Sequence, residues 1–336
     1  MQAHKCCRKW CVWPARRRQG DVVSQRLQWE HDGLRWPHRG NSRFVQAADM
    51  RWHVQQFESE DPSAPAAVLI HGTGASTHSW RGLIPLLTSH FKILAMDLPG
   101  HAFTDMPANG AGSAQMSLVG MARAIGLLLD SLKVAPAMVI GHSAGAAIAA
   151  RMCLDGLIAP QLLVSINGAL LPLGGLAGQV FSPAAKLMSA LPFVPTWFSW
   201  QASNPSVLQK LIGSTGSTLD AEGMALYGQL VSSPGHAAGA LGMMANWDLP
   251  QLAQDLPRLK TPVSLIVGSN DQTVPPRQAA RVAALWPNGS AIDPPRLSTL
   301  AGLGHLAHEE RPDLVADLVL EQFGLTEKAS DSVSKI

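Results

Sequence analysis

From Arg51 onward, short apolar runs alternate with stretches of helical periodicity. Five runs stand out: AAVLIHG (66–72), FKILAMD (91–97), AMVIGH (137–142), QLLVSI (161–166) and PVSLIVGSND (262–271). Each ends in polar residues or glycine, the pattern of a strand buried on both faces of a parallel sheet. RWHVQQF (51–57) alternates Trp52 and Val54 with less apolar neighbours and predicts a half-buried early strand. Helices are predicted near 115–133, 144–155, 276–286 and 308–323. In the last, Leu314, Val315, Leu318, Val319 and Phe323 recur at helical spacing. Such alternation is the signature of βαβ units, so the predicted fold is α/β, a mostly parallel central sheet with flanking helices. The polar groups fall at the C-terminal ends of the strands, where open α/β sheets bind ligands. No internal repeat is visible.

The rhythm breaks between about Leu171 and Pro250. This interval is rich in Pro, Gly, Met and Trp, and apart from Lys186 no charged residue lies between Asp155 and Lys210. Residues 156–185 are uncharged throughout, long enough to raise a membrane span. However, Asn167, Pro172, Gly174, Gly175 and Gln179 interrupt them. The preferred reading is an inserted, largely helical cap whose apolar residues face a cleft, a partner or a membrane surface. The predicted organisation is a flexible basic tail (1–28), a first core segment (29–170), the apolar cap (171–250), a second core segment (251–324) and a flexible C-terminus (325–336).

Composition narrows the function classes. Hydrophobic residues make up 46% of the 336 and charged residues 15%, so a sizeable core can be buried and disorder is excluded for most of the chain. The net charge of +2 is uneven. Residues 1–20 carry six cationic side chains and no acid, which leaves the remainder at −4. A mildly acidic body lacks the clustered positive charge of a nucleic-acid groove. The tail suits contact with an anionic surface. Cys6, Cys7 and Cys11 sit in that tail and Cys153 stands alone, which is neither a disulfide framework nor zinc spacing and fits a reducing compartment. In CVWPARRRQG (11–20) a proline and further arginines break the apolar run that a secretory signal needs. A cytoplasmic location is expected, with a lipidated or membrane-touching anchor through Trp10, Trp13 and the tail cysteines as the alternative.

The candidate chemistry centres on VIGHSAGAAIAARM (139–152). Ser143 stands between Gly141-His142 and Ala144-Gly145, directly after an apolar run and directly before a small-residue helix. A serine hydroxyl attacks only when exposed and beside a base, and a sharp strand-to-helix turn exposes it. The alternative is a glycine-rich corner with an incidental serine. Three features favour the nucleophile. His71-Gly72-Thr73-Gly74 follows a strand and supplies a backbone N–H, from Thr73 first and Gly74 second, to join that of Ala144 in an oxyanion hole. Asp271 ends a strand, where a carboxylate can fix a histidine tautomer. His305 lies in AGLGHLAHEERP, before the last helix, completing the order Ser, Asp, His. His308 is a rival base but falls at the predicted helix start, as a surface or capping residue. His71 and the Asp97–His101 turn read as structural, and Asn167 is neutral where some hydrolases place the acid. Met224, Met243 and Met244 read as core filler. No metal spacing, dinucleotide fingerprint or Walker loop occurs, and the proposed chemistry needs no cofactor.

With HGTGAS, DLPGH, GHSAG, GSNDQTVP and GLGHLAHEERP in order, the chain resembles the α/β-hydrolase superfamily from about Ser42 to Phe323, departing at Ala102, where many members carry glycine. WPHRGNSRFVQAADMRWHVQQ, HGTGASTHSWR, DLPGHAFT, VIGHSAGAAIAARM and SINGALLPLGG further resemble the BchO-type magnesium-chelatase accessory proteins of bacteriochlorophyll biosynthesis. That resemblance implies a role around magnesium insertion into protoporphyrin IX, with chelatase subunits as partners and an apolar small molecule, a porphyrin included, as ligand. Serine in place of aspartate at 143 argues against dehalogenase and epoxide-hydrolase chemistry, and the single tyrosine, Tyr227, excludes a two-tyrosine clamp. Three readings follow: a hydrolase of an apolar ester, thioester or amide; a porphyrin carrier or chelatase-binding accessory without turnover; and a general carboxylesterase.

Overall fold

The computed structural model describes residues 26–172, 191, 193–286 and 293–325. Eight strands form one sheet: β1 (Ser42–Ala47), β2 (Met50–Phe57), β3 (Ala66–Ile70), β4 (Lys92–Met96), β5 (Met138–His142), β6 (Leu162–Ile166), β7 (Val263–Gly268) and β8 (Arg296–Leu300). Their order is β1-β2-β4-β3-β5-β6-β7-β8. β2 is antiparallel to β1 and β4, and every pairing from β4 to β8 is parallel. The chain steps from β3 outward to β4, then returns to place β5 on the other side of β3. That reversal opens a crevice at the C-terminal ends of β3 and β5. His71 leaves one end and Ser143 the other.

The central strands are apolar because both faces are covered. Val68, Ile70 and Val139 point into one core with the helices Leu118–Leu132 and Ala144–Leu154. Ala67, Leu69 and Ile140 point into a second core with Trp80, Leu83, Val315 and Val319. The edge strands β1 and β8 carry no such run and do not stand out in the sequence. β1 is only partly buried, and β8 leaves Arg296 and Leu297 exposed, since an edge strand needs cover on fewer sides. The predicted helix over 308–323 is broken in two, Ala307–Glu310 and Pro312–Phe323. The break falls at Arg311 (φ −142°), because the ring of Pro312 pushes the preceding residue out of helical conformation.

Between β6 and β7 lie the helices Val194–Ala202, Pro205–Gly213, Ala221–Val231 and Pro234–Ala245. The last three begin on polar caps: Asn204, Asp220 and Ser233 accept from the N–H of Ser206, Gly223 and His236. Leu208, Ile212, Leu226 and Leu230 share a third core with Trp36 and Phe103. The helix Pro234–Ala245 docks almost backbone to backbone. A Cβ added at Gly239 would lie 2.1 Å from the carbonyl oxygen of Gly100, and one at Gly242 would lie 2.7 Å from Ala111 Cβ.

A charged network, buried at Glu309 and exposed at Asp220, ties these helices to the body. Arg81 donates to Glu309 (2.6 Å) and to Asp220 (2.8 Å), and the Tyr227 hydroxyl donates to Glu309 (2.8 Å). Burial pushes the Glu309 carboxyl up to about 7, although Arg81 and Tyr227 pull the other way. A carboxyl whose folded pKa is raised contributes stability below its unfolded value near 4.5, lost as pH rises through about 7. Glu309→Gln keeps both hydrogen-bond partners but does not titrate. Denaturant titrations from pH 5 to 8 are expected to show the wild type losing on the order of 2 kcal/mol relative to Glu309→Gln. Parallel curves for the two proteins would refute it.

Candidate active site

Ser143 sits at the turn between β5 and the helix Ala144–Leu154 with φ 52° and ψ −118°. A non-glycine residue held there costs about 1–3 kcal/mol and persists only when its surroundings impose it. Here the Ser143 N–H donates to Ile166 O (3.0 Å), and Ser143 O accepts from Ala169 N (3.0 Å). The flanking glycines are required by close approach. A Cβ at Gly145 would lie 2.1 Å from Ile70 O, and one at Gly141 would lie 2.4 Å from Ala146 Cα.

The structure brings Ser143, His305 and Asp271 into one hydrogen-bonded line. Ser143 Oγ and His305 Nε2 are 3.0 Å apart, and His305 Nδ1 and Asp271 Oδ2 are 2.8 Å apart. A carboxylate only accepts, so the His305 proton sits on Nδ1 and leaves Nε2 as acceptor for the serine hydroxyl. Asp271 is itself fixed. Its Oδ1 accepts from the Thr273 and Val274 N–H groups (2.8 and 2.9 Å), and its Oδ2 accepts from Asn167 Nδ2 (2.8 Å). Asn167, read from sequence only as a neutral stand-in, therefore positions the acid from the neighbouring strand end.

The His71–Gly74 loop lies against the serine: a Cβ at Gly72 would be 2.9 Å from Ser143 Cβ. Ala144 opens a helix whose first-turn N–H groups have no partner within it. Thr73 and Gly74 are both gripped by the helix Pro234–Ala245. Thr73 Oγ1 lies 3.3 Å from Met243 Sδ, and His236 Nε2 lies 3.0 Å from Gly74 O. His236 Nδ1 accepts from Ala102 N (3.0 Å), which puts the His236 proton on Nε2 for donation to Gly74 O. Burial lowers His236 to about 4, so it is neutral across the ordinary range. Ala102, the departure noted in sequence, holds φ 40°, a conformation that glycine adopts without strain. Met243 thus touches the loop next to the serine, a role beyond core filling.

Other expectations are sorted by burial. His308 is corrected: it is fully buried, not a surface or capping residue, with its ring 4.7 Å from Trp80 and 4.4 Å from His142. The helix break at Pro312 turns it inward, and burial takes its pKa down to about 3. His71 is structural, accepting from Leu98 N (2.9 Å) and contacting Gly72 O (2.7 Å). Asp97 is committed to the fold, accepting from Thr77 N, Phe103 N and His53 Nδ1. Burial opposes its charge, but His53 and these donors hold it at about 2. Cys153 is pushed up to about 12 by burial, which makes it a poor thiolate. The tail residues 1–25, including Trp10, Trp13 and three cysteines, and residues 326–336 lie outside the described residues.

Sequence reasoning missed what holds His305. Its carbonyl accepts from His142 Nε2 (2.9 Å), and its N–H donates to Thr215 O (3.2 Å), which also accepts from Gln272 N (3.1 Å). Ser217 Oγ accepts from Leu306 N, and Glu310 accepts from Gly304 N. The segment Thr215–Ser217 therefore threads between the loops carrying the acid and the base. It lies within a stretch of small residues, GSTGS, which marks only a turn. Among the described residues no three His, Cys, Asp or Glu converge to hold a metal ion, and no helix is long and apolar enough to cross a membrane.

Comparison with known proteins agrees with the α/β fold. The magnesium-chelatase 30 kDa subunit of Rhodobacter capsulatus is 36% identical over 286 residues, 85% of this chain and 95% of that protein. Human epoxide hydrolase 4 is 24% identical over 84% of this chain and 79% of its own length. The crystal structure of an alpha/beta hydrolase fold protein from Burkholderia ambifaria superposes with a TM-score of 0.65 at 24% identity, covering 83% of this chain and 99% of that one. The sequence model of the alpha/beta hydrolase family matches residues 67–318, from the start of β3 into the last helix. By fold and by sequence alike, the chain belongs to the alpha/beta hydrolase family.

Proposed function

We propose that the chain is a serine hydrolase acting on an ester, thioester or amide of a largely apolar compound, in support of magnesium-porphyrin formation. The observation that carries the chemistry is the line Ser143–His305–Asp271 set on a strained turn. Ser143 attacks the carbonyl while His305 takes its proton, later returning it to the leaving group. Asp271 holds the His305 tautomer and stabilises the imidazolium. The N–H groups of Ala144 and of Thr73, with Gly74 as second choice, receive the oxyanion. The likeness to the Rhodobacter capsulatus chelatase subunit supports the biosynthetic setting and makes chelatase subunits the first partners to test. The likeness to epoxide hydrolase 4 extends to the fold alone. Residue 143 is serine, and the lone tyrosine is buried in the Glu309 network.

The same similarity favours a second reading, an accessory that binds a porphyrin or the chelatase without turnover. Complementing a pigment-deficient null strain with wild type and with Ser143→Ala separates the two. Pigment restored by wild type alone, with both proteins present at equal levels, supports catalysis; restoration by both supports the carrier or accessory.

The grip of His236 on Gly74 carries its own expectation. His236→Leu leaves Gly74 O without its donor, so the oxyanion loop is held less firmly, and kcat is expected to fall about ten- to hundredfold with KM changed less. His236→Gln, which can still donate, should recover part of the loss. Ester turnover at matched thermal stability checks it; a uniform change in KM alone would contradict it.

A further inference from the structure

Two helices of the insertion carry large apolar side chains on their outer as well as their inner faces. On Val194–Ala202 and Pro205–Gly213 the inner face buries Val194, Ala202, Leu208 and Ile212. The outer face presents Phe193, Trp197 and Trp200 at i, i+4 and i+7, exposed by 62%, 54% and 71%, and then Val207 and Leu211, each by 39%. Clustered exposed aromatics mark an interaction surface.

The chemistry of the patch selects its occupant. Protein interfaces are enriched in aromatic residues together with Met and Arg, and depleted of Lys. Residues 193–213 supply aromatics but no Arg, Tyr or Met, and their one charged residue is Lys210. Tryptophan and phenylalanine with a lysine beside them are what a bilayer interface accepts, the rings at headgroup depth and the long cationic stem reaching outward. The electrostatics agree. No Asp or Glu occurs anywhere in residues 156–219, so nothing in this stretch repels an anionic surface. The chain enters the insertion's neighbourhood at Arg26, whose Cγ would lie 2.6 Å from a Cβ at Gly235. Lys5, Arg8, Lys9, Arg16, Arg17 and Arg18 precede it in sequence. Basic residues near a membrane surface add attraction to anionic lipid.

We infer that the outer face of these two helices is a docking surface for an anionic lipid bilayer. Phe193, Trp197 and Trp200 insert at the headgroup boundary, and exposed Lys210 in a stretch without Asp or Glu supplies the charge preference. Docking is independent of turnover at Ser143, and it would present the insertion to compounds dissolved in lipid.

Co-sedimentation of the full chain with phosphatidylcholine–phosphatidylglycerol vesicles tests this, with pure phosphatidylcholine vesicles as the neutral arm. The wild type is expected to pellet with the anionic vesicles, less with the neutral ones, and less at high salt. Trp197→Glu/Trp200→Glu should weaken the partition at least about tenfold. Both side chains point to solvent, so the fold should persist, and circular dichroism checks it. Leu127→Glu, at a residue 55% exposed on the Leu118–Leu132 helix, is the control and should bind as wild type does. Absence of vesicle binding, or equal loss in the Leu127→Glu control, overturns the assignment. So does a chain that ignores vesicles and instead self-associates through these tryptophans.

Discussion

Ser143→Ala is expected to abolish covalent labelling by a fluorophosphonate and to lower ester hydrolysis by about 10⁴-fold or more. The hydroxyl is the only group at this turn that can bond to the probe, and its partner at 3.0 Å is an imidazole nitrogen already set to accept its proton. What remains after its removal is binding and oxyanion stabilisation, which act on a water attack. The strain at φ 52° is common to serine and alanine, so thermal stability should move by no more than about 0.5 kcal/mol. Intact mass and the labelled peptide spanning 139–152 read the result. Folded wild-type protein that takes no label would remove the active-hydrolase reading, and a Ser143→Ala variant that still labels would move the nucleophile elsewhere.

Asp271→Asn should cost about 10³- to 10⁴-fold in kcat while the protein stays folded. Four donors converge on this carboxylate: Thr273 N and Val274 N on one oxygen, Asn167 Nδ2 and His305 Nδ1 on the other. An amide can meet only one pair. Its carbonyl goes to the two backbone donors, which cannot turn away, and its NH₂ then faces His305. Nδ1 becomes an acceptor, the proton moves to Nε2, and the nitrogen that should take the serine proton is occupied. Asn167 limits the damage to stability because its Oδ1 is buried without a partner, and a flipped amide can accept from the new NH₂. Steady-state rates across pH, with denaturation curves alongside, check both halves. Activity within tenfold of wild type would mean that another group orients His305.

Much of this site is legible from the chain because each part needs a residue type that leaves a trace. Strands buried on both faces must be continuous apolar runs, so β3 to β7 stand out with Ser143 and Asp271 at their ends. The glycines at 141 and 145 are forced by backbone approach, which is why the pentapeptide is readable. Edge strands leave no such trace, because β1 and β8 are covered on fewer sides. His308 reads as external from sequence because it falls where the last helix is predicted to begin. Only the geometry of Pro312 shows that the chain bends and takes the imidazole inside. The grips on His305 and Gly74 were invisible for a different reason. Thr215 O and Gly74 O are backbone groups, and a carbonyl has no letter in a sequence.

The contact of Gly239 with Gly100 has a consequence for how relatives of this chain should diverge. With no side chain between the helix and the turn, neither partner can change size unless the other yields, and His236 and Met243 on the same stripe are bound to that spacing. The helices Val194–Ala202 and Pro205–Gly213 pack inward through Val194, Ala202, Leu208 and Ile212, side chains that can be exchanged for others of similar bulk. Across homologues, therefore, positions 236, 239 and 243 should change rarely and in step with 73, 100 and 102, while 194–213 drifts. Substrate preference would then evolve in the outer helices, and the stripe facing the serine would be inherited nearly unaltered.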